Sequence, residues 1–294
     1  MNYGEPEPAA DYQAPKSLRE ALDVLDGGGH RIVAGGTDVF PSLSDRPPPR
    51  RLLDVTGLPE LRGIVRTAEG WRFGGGATWT DVIRTPLPPA FDGLKAAARE
   101  VGSVQIQNAG TIAGNLCNAS PAADGVPPLL ALDAVVELES VRSRRELPLS
   151  RFICGVRQTE LRPDELVKAV RVPTVPREAR SAFLKLGSRK YLVISIAMVA
   201  VTVWTDSEDR VAGVRIAVGA CSPVAVRLHA LEQALMGRRI RESDALFAPE
   251  SGGFDGLSPI DDFRGSAVYR RQAAAEITRR ALLEATSAGT SAHG

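Results

Sequence analysis

Apolar residues first recur at helical spacing at Leu18, Ala21, Leu22 and Leu25, behind Ser17-Leu18-Arg19-Glu20 and ahead of Gly27-Gly28-Gly29. A hydroxyl followed three residues later by a carboxylate predicts a capping box, and the glycine run predicts the stop. Short continuous apolar runs at 31–34 and 52–55 predict buried strands either side of a Pro-rich turn at 47–49. Residues 63–65 and 71–73 read as the arms of a hairpin around Glu69-Gly70. Helices are predicted over 78–84, 91–101 and near 129–132, and strands over 134–138 and 166–172. Residues 102–124, rich in Gly, Asn and Ser, read as a long loop.

The last third changes pattern. Runs at 183–186, 192–204 and 211–220 predict a three-stranded antiparallel sheet, with the polar turn Asp206-Ser207-Glu208-Asp209 before the third strand. The run 192–204, interrupted by Ser195 and Thr202, is too short to span a bilayer, and its β-branched residues favour a strand. Helices over 225–236 and 267–285 and a flexible tail at 287–294 complete the reading. The pattern is α+β, divided into a small lobe (1–57), a second lobe (58–175) and a C-terminal unit (176–286), with a Pro-containing linker at 173–180.

Composition narrows the function classes. The 294 residues carry 36 Lys+Arg against 35 Asp+Glu, a net charge of +1, so no basic excess points to nucleic acid or anionic lipid. Cys117, Cys154 and Cys221 are widely spaced and form no C-x-x-C, which argues against a zinc site, an iron–sulfur cluster or a disulfide framework in this chain. Sparse cysteines and the absence of a secretory pattern at the N-terminus predict a cytoplasmic protein without a membrane span. His30, His229 and His293 form no metal or hydrolase pattern. The basic cluster Arg142-Ser143-Arg144-Arg145 reads as a solvated turn, with docking of a partner subunit as the lesser reading.

Two segments carry candidate chemistry. Val33-Ala34-Gly35-Gly36-Thr37-Asp38 places two glycines after a strand, where free backbone N–H groups suit an anion such as a pyrophosphate. It is neither G-x-G-x-x-G nor a P-loop, and a plain tight turn remains the other reading. The second, Gln105 through Asp124, concentrates amides, hydroxyls and small residues with almost no charge. Such a segment lets backbone approach a phosphate- and sugar-bearing ligand; a buried loop stitched by its own Asn and Ser side chains would look similar.

Together, Ala34-Gly35-Gly36-Thr37-Asp38 and Gly110-Thr111-Ile112-Ala113-Gly114-Asn115-Leu116-Cys117-Asn118-Ala119-Ser120-Pro121-Ala122-Ala123-Asp124 resemble the two FAD loops of molybdenum hydroxylase flavoprotein subunits. These are the medium chains of the xanthine dehydrogenase and carbon monoxide dehydrogenase type. The resemblance extends through Phe183-Leu184-Lys185-Leu186-Gly187-Ser188-Arg189 and Ala217-Val218-Gly219-Ala220, and so covers nearly the whole chain. It implies a two-subdomain FAD-binding domain of the vanillyl-alcohol-oxidase-like type, followed by a smaller C-terminal domain.

The resemblance also implies roles. Val33, Ala34, Gly35, Gly36, Thr37 and Asp38, with Thr111, Ile112, Ala113, Gly114 and Asn115, would surround the pyrophosphate of a non-covalent FAD. Asp124 would accept from flavin sugar or ribityl hydroxyls, and Val101 and Gly102 would flank the isoalloxazine. Leu166 and Lys185 would approach the ring, Lys185 polarising a flavin carbonyl. The family's usual Gly-Gly before Asn is Ala113-Gly114 here, Gln107 replaces a frequent Arg, and Tyr191 stands where small residues are usual and could shield a flavin face. Cys117 reads as a small buried hydrophobe.

The implied function is electron transfer. The chain would take electrons from a small iron–sulfur subunit with two [2Fe-2S] clusters and pass them to NAD, oxygen or a quinone. A large molybdopterin subunit would hydroxylate the substrate, within a dimer of heterotrimers. Two rivals stand beside this reading: a self-sufficient FAD oxidase of the same superfamily, and a flavin-free scaffold or maturation subunit.

Overall fold

In the computed structural model, which describes residues 11–43, 49, 51–189 and 193–287, the first lobe is a parallel sheet of short strands. β1 (Asp11–Gln13) leads into α1 (Leu18–Asp26), followed by β2 (Arg31–Val33) and β3 (Arg51–Asp54), in the spatial order β1-β3-β2. The stripe Leu18, Ala21, Leu22 and Leu25 packs on Leu53, Val55, Leu58 and Leu61. Ser17 caps α1 by accepting the Glu20 N–H at 3.3 Å. The expected capping box is only half made, because the Glu20 carboxylate reaches back one residue further, to the Lys16 N–H at 2.8 Å. Residues 47 and 48 of the expected Pro-rich turn lie outside the described residues.

The second lobe is built on a five-stranded sheet. The expected hairpin is β4 (Ile64–Thr67) and β5 (Gly70–Gly74). Then come α2 (Trp79–Arg84), α3 (Asp92–Glu100), α4 (Val104–Ala109), α5 (Ile112–Asn118) and α6 (Val126–Ala131). The reciprocal capping box belongs to α2, where Thr78 Oγ1 accepts from the Asp81 N–H and Asp81 accepts from the Thr78 N–H. β6 (Val135–Glu139), β7 (Arg144–Pro148), α7 (Leu149–Phe152), the small hairpin β8 (Ile153–Gly155) with β9 (Gln158–Thr159), and β10 (Leu166–Pro173) complete the lobe. The sheet order is β4-β5-β10-β6-β7.

Two expectations fail in this lobe. Residues 102–124 are not one loop, since α4 and α5 form within them. Thr111 caps α5 by accepting the Gly114 N–H, and Ile112 and Leu116, four apart, bury one face. Weak helix formers hold a short helix here because tertiary burial supplies what propensity does not. The basic cluster is a solvated turn only at Arg142 and Ser143. Arg144 and Arg145 lie on β7, and Arg145 clamps the buried Glu165 with two bonds of 2.6 and 2.7 Å. Arg142 pairs with Asp26 of α1, and Arg144 with Glu139 at 2.9 Å.

The C-terminal unit has four strands rather than three. β11 (Arg180–Leu186), β12 (Ala197–Thr205) and β13 (Val211–Gly219) run antiparallel, and β14 (Val226–Arg227) pairs with β13 at residues expected to be helical. Arg227 explains the early strand: it is held by Glu232, Asp133 and the Leu130 carbonyl, which stops the helix α8 (His229–Leu235) from starting sooner. The long helix α9 (Ala267–Ser287) closes the chain, and 288–294 of the expected tail lie outside the described residues. Both faces of the sheet are covered. Phe183, Met198, Ala200 and Ala217 join the core of the second lobe, while Ala197, Val199, Val201, Ile216 and Val218 pack with α8 and α9. A strand buried on both faces reads as a continuous apolar run, which accounts for 197–204; 193–196 of the expected strand precede β12, and 192 lies outside the described residues. The core therefore crosses the 173–180 segment without a break.

Candidate functional site

β2 delivers the first glycine motif. Val33 is buried and its carbonyl accepts the Val55 N–H at 3.0 Å, anchoring the strand end from which 34–38 depart. Gly36 takes φ +68°, a left-handed conformation that favours glycine. Gly35 lies so close to the end of α4 that a Cβ would stand 1.8 Å from the Ala109 carbonyl oxygen. The N–H groups of Gly35, Gly36 and Thr37 donate to no protein acceptor among the described residues. This is a strand-end cradle with free donors, the chemistry an anion needs.

The second motif is arranged differently. The N–H groups of Ile112 and Ala113 donate to the Ala77 and Gly75 carbonyls at 2.9 and 3.3 Å, and those of Gly114 and Asn115 return to Thr111. Its backbone is spent on its own fold. Its side chains carry what remains. Asn115 Oδ1 is buried without a hydrogen-bond partner, a cost normally met by a ligand or water. Asn118 Nδ2 donates to Asp38 Oδ1 at 2.7 Å, and Arg157 on the β8–β9 turn donates to Asn118 Oδ1. The two motifs therefore touch both through Gly35–Ala109 and through this polar chain.

A second cluster lies at the junction with the C-terminal sheet. Lys185 Nζ donates to Asp124 Oδ2 at 2.8 Å and Ser195 Oγ to Asp124 Oδ1 at 3.2 Å. Burial pushes the Asp124 carboxyl above its ordinary range; the Lys185 charge and the hydrogen bonds from Lys185 and Ser195 offset only part of that. Beside the pair is a cavity of about 420 Å³ lined by Ala96, Glu100, Phe183, Lys185, Gly187 and Val193. Val101 and Gly102 follow directly from Glu100, with Gly102 at φ +54°.

Most predicted site residues thus fall into two groups: 33–38 with 111–115, and Asp124 with Lys185. Asn115 Oδ1 links them, lying against Gly125, the residue after Asp124. Leu166 is not brought there: it is buried in the core of the first lobe with Leu53 and Leu58. Tyr191 lies outside the described residues. Ser195, Asn118 and Arg157 are additions. The signal for Ser195 was visible as a polar interruption in an apolar run, whereas nothing local singles out Arg157.

Other chemistry finds little footing. Burial pushes the Cys117 thiol up to about 12, so it is a poor nucleophile at neutral pH. His30 is buried beside Asp11, and His229 is exposed next to Glu232. Among the described residues no His/Cys/Asp/Glu cluster is arranged to hold a metal, and no helix is long and apolar enough to cross a membrane.

Comparison with known proteins covers nearly the whole chain. Residues 7–175 match the family "FAD binding domain in molybdopterin dehydrogenase" and residues 182–285 match "CO dehydrogenase flavoprotein C-terminal domain". The nicotine 6-hydroxylase medium subunit of Paenarthrobacter nicotinovorans is 31% identical, over 95% of this chain and 98% of its own length. The carbon monoxide dehydrogenase medium chain of Hydrogenophaga pseudoflava is 31% identical, over 94% and 96%. A solved carbon monoxide dehydrogenase chain from Hydrogenophaga pseudoflava superposes with a TM-score of 0.87 at 30% identity, covering 96% of this chain and 99% of that one. A chain of quinoline 2-oxidoreductase from Pseudomonas putida 86 gives 0.85 at 26% identity, covering 97% and 99%. The chain belongs to the FAD-binding subunits of the molybdenum hydroxylases, the oxidoreductase family of the carbon monoxide dehydrogenase and xanthine dehydrogenase type.

Proposed function

We propose that this subunit binds FAD non-covalently and passes electrons from an iron–sulfur partner to a terminal acceptor such as NAD, oxygen or a quinone. A large molybdopterin subunit would hydroxylate the substrate, and a small subunit with two [2Fe-2S] clusters would relay the electrons, in a dimer of heterotrimers. Relatives named as medium subunits or medium chains support the division into separate polypeptides. The observation that carries the reading is the cradle at 35–37, which has unpartnered N–H groups and packs at Gly35 against Ala109 of the second motif, the motif that also holds the orphaned Asn115 Oδ1.

In this reading Gly35, Gly36 and Thr37 donate to the pyrophosphate, with Ala34 and Asp38 completing the turn and 111–115 forming the wall behind it. Asp124 has one oxygen engaged by Lys185 and the other by Ser195; each keeps a lone pair for a sugar or ribityl hydroxyl. Lys185 serves the flavin through that pair, so its charge is largely compensated until Asp124 takes a proton. Val101 and Gly102, which follow the cavity-lining Glu100, would flank the ring. Bound FAD supplies the one- and two-electron chemistry; the protein supplies position and electrostatics.

The purified full chain should show flavin absorption bands, either as isolated or after adding FAD. Absence of bands in both states overturns the proposal. Asp124→Asn should weaken FAD binding about tenfold or more, the usual scale for losing a hydrogen bond to a charged group. Unchanged binding would remove Asp124 from the site. Co-purification with molybdenum- and iron-bearing chains tests the assembly, and turnover of a substrate by the isolated chain would favour an oxidase instead.

A further inference from the structure

Besides the Lys185–Asp124 pair, two hydrogen bonds tie the C-terminal unit to the segment that carries Asp124. Ser195 Oγ donates to Asp124 Oδ1, and the Ala220 N–H donates to the Pro121 carbonyl at 2.9 Å. Both tethers lie just outside strands: Ser195 precedes β12, and Ala220 follows β13. Ala220 takes φ +62°, a conformation that an L residue seldom adopts unless its surroundings hold it there.

One guanidinium stands behind both tethers. Arg270, near the start of α9, is buried, and its Nη1 donates to the Ile196 carbonyl at 2.6 Å and the Ala220 carbonyl at 3.0 Å. Its Nη2 donates to Asp262 Oδ1 at 2.7 Å. Desolvation works to raise the Asp262 carboxyl, but hydrogen bonds from Arg270 and Arg264 outweigh it and hold it at about 2, so the counter-charge persists at neutral pH. If Arg270 served only to pack α9, an apolar side chain would do so without a desolvation penalty. Its Nε pays part of that penalty, being buried without a partner. The planar fork is what allows one side chain to reach two carbonyls and a carboxylate; an ammonium is a point donor.

We propose that Arg270 is a positioning residue of the flavin site, fixing the Ser195–Ile196 and Ala220 backbone from behind and so setting where Asp124 and Lys185 stand relative to the cofactor. The inference rests on the role given above to that pair.

The test is FAD titration of the full chain stripped of flavin, reading the dissociation constant, the bound flavin's visible bands and the thermal midpoint. Arg270→Lys and Asp262→Asn should each weaken FAD about tenfold or more, the scale of losing an outer-shell partner, and shift the bound bands. The control is Arg227→Met, which breaks another arginine clasp between the lobes, to Asp133 and Glu232, with no hydrogen bond to 120–124 among the described residues. It should lower the thermal midpoint while leaving FAD affinity within about twofold of the parent. Parent-like affinity and spectrum in Arg270→Lys overturn the proposal. So does an Arg227 variant that weakens FAD as much, since the effect would then be general destabilisation. If Arg270→Lys does not fold, Asp262→Asn, which retains the guanidinium, decides by the same readouts. A parent chain that takes up no FAD refutes the proposed function and this inference together, whereas a binding parent with silent variants refutes the inference alone.

Discussion

Lys185 and Asp124, 61 residues apart, form a buried ion pair of 2.8 Å that joins β11 to the segment following α5. Removing one partner leaves the other charged and desolvated, which costs about 3–5 kcal/mol, whereas removing both together costs far less. Lys185→Met and Asp124→Asn should each destabilise strongly, and the double variant should recover most of the loss. Denaturant unfolding of the four proteins checks this; a coupling below about 0.5 kcal/mol would mean that the pair does not act as a unit.

The same carboxyl gives a pH signature. Burial raises Asp124 above the ordinary carboxylate range, with Lys185 and Ser195 pulling it partly back. With the native pKa above the unfolded value, the native state binds the proton while the unfolded chain is still ionised. Asp124 therefore contributes stability that is complete below the unfolded pKa and lost as pH rises through the raised native value. On acidification across that window the parent should gain on Asp124→Asn, by at most about 1.4 kcal/mol per pH unit. Unfolding curves between neutral pH and pH ~4 test the sign.

Gly35→Ala should abolish tight FAD binding. A Cβ there meets the Ala109 backbone, which cannot swing aside as a flexible side chain would. Gly63→Ala is the comparison: its φ is +84° but its surroundings are open, so it should cost about 1 kcal/mol of stability and leave FAD affinity unchanged. Equal FAD affinity in both variants would separate the Gly35 contact from flavin binding.

Thiol labelling should be selective. Cys154 is exposed, while burial pushes both Cys117 and Cys221 up to about 12. Alkylation of native protein near neutral pH, read by peptide mass spectrometry, should modify Cys154 alone. Cys117 is half-buried, so labelling there as fast as at Cys154 would contradict its raised thiol pKa.

Arg145→Met should destabilise by about 3–5 kcal/mol, because it strands the Glu165 carboxylate, which is 1% exposed. Arg142→Ala, which removes an exposed pair with Asp26, should cost no more than about 1 kcal/mol. Thermal melts of the two variants separate a buried clamp from a surface contact, although the two arginines are three residues apart.

Much of the architecture is legible in the order of residues alone. An amphipathic stripe located α1 and a turn dipeptide the β4–β5 hairpin, because both are written locally. The glycines at 35 and 36 and the polar segment after Gln105 marked where backbone must approach something closely. Their joint resemblance pointed to the flavoprotein family that the comparisons show. Tertiary structure alone decided the rest. Helix α5 forms from weak helix formers because Ile112, Ala113 and Leu116 find a core, and β14 forms because Arg227 is held by distant acceptors. Lys185 and Asp124 could be named separately from sequence, but their bond, and the arginine standing behind it, depend on bringing together residues far apart in the chain. A hydrogen bond between such residues leaves no periodic trace, since its energy comes from burial and geometry that exist only after folding.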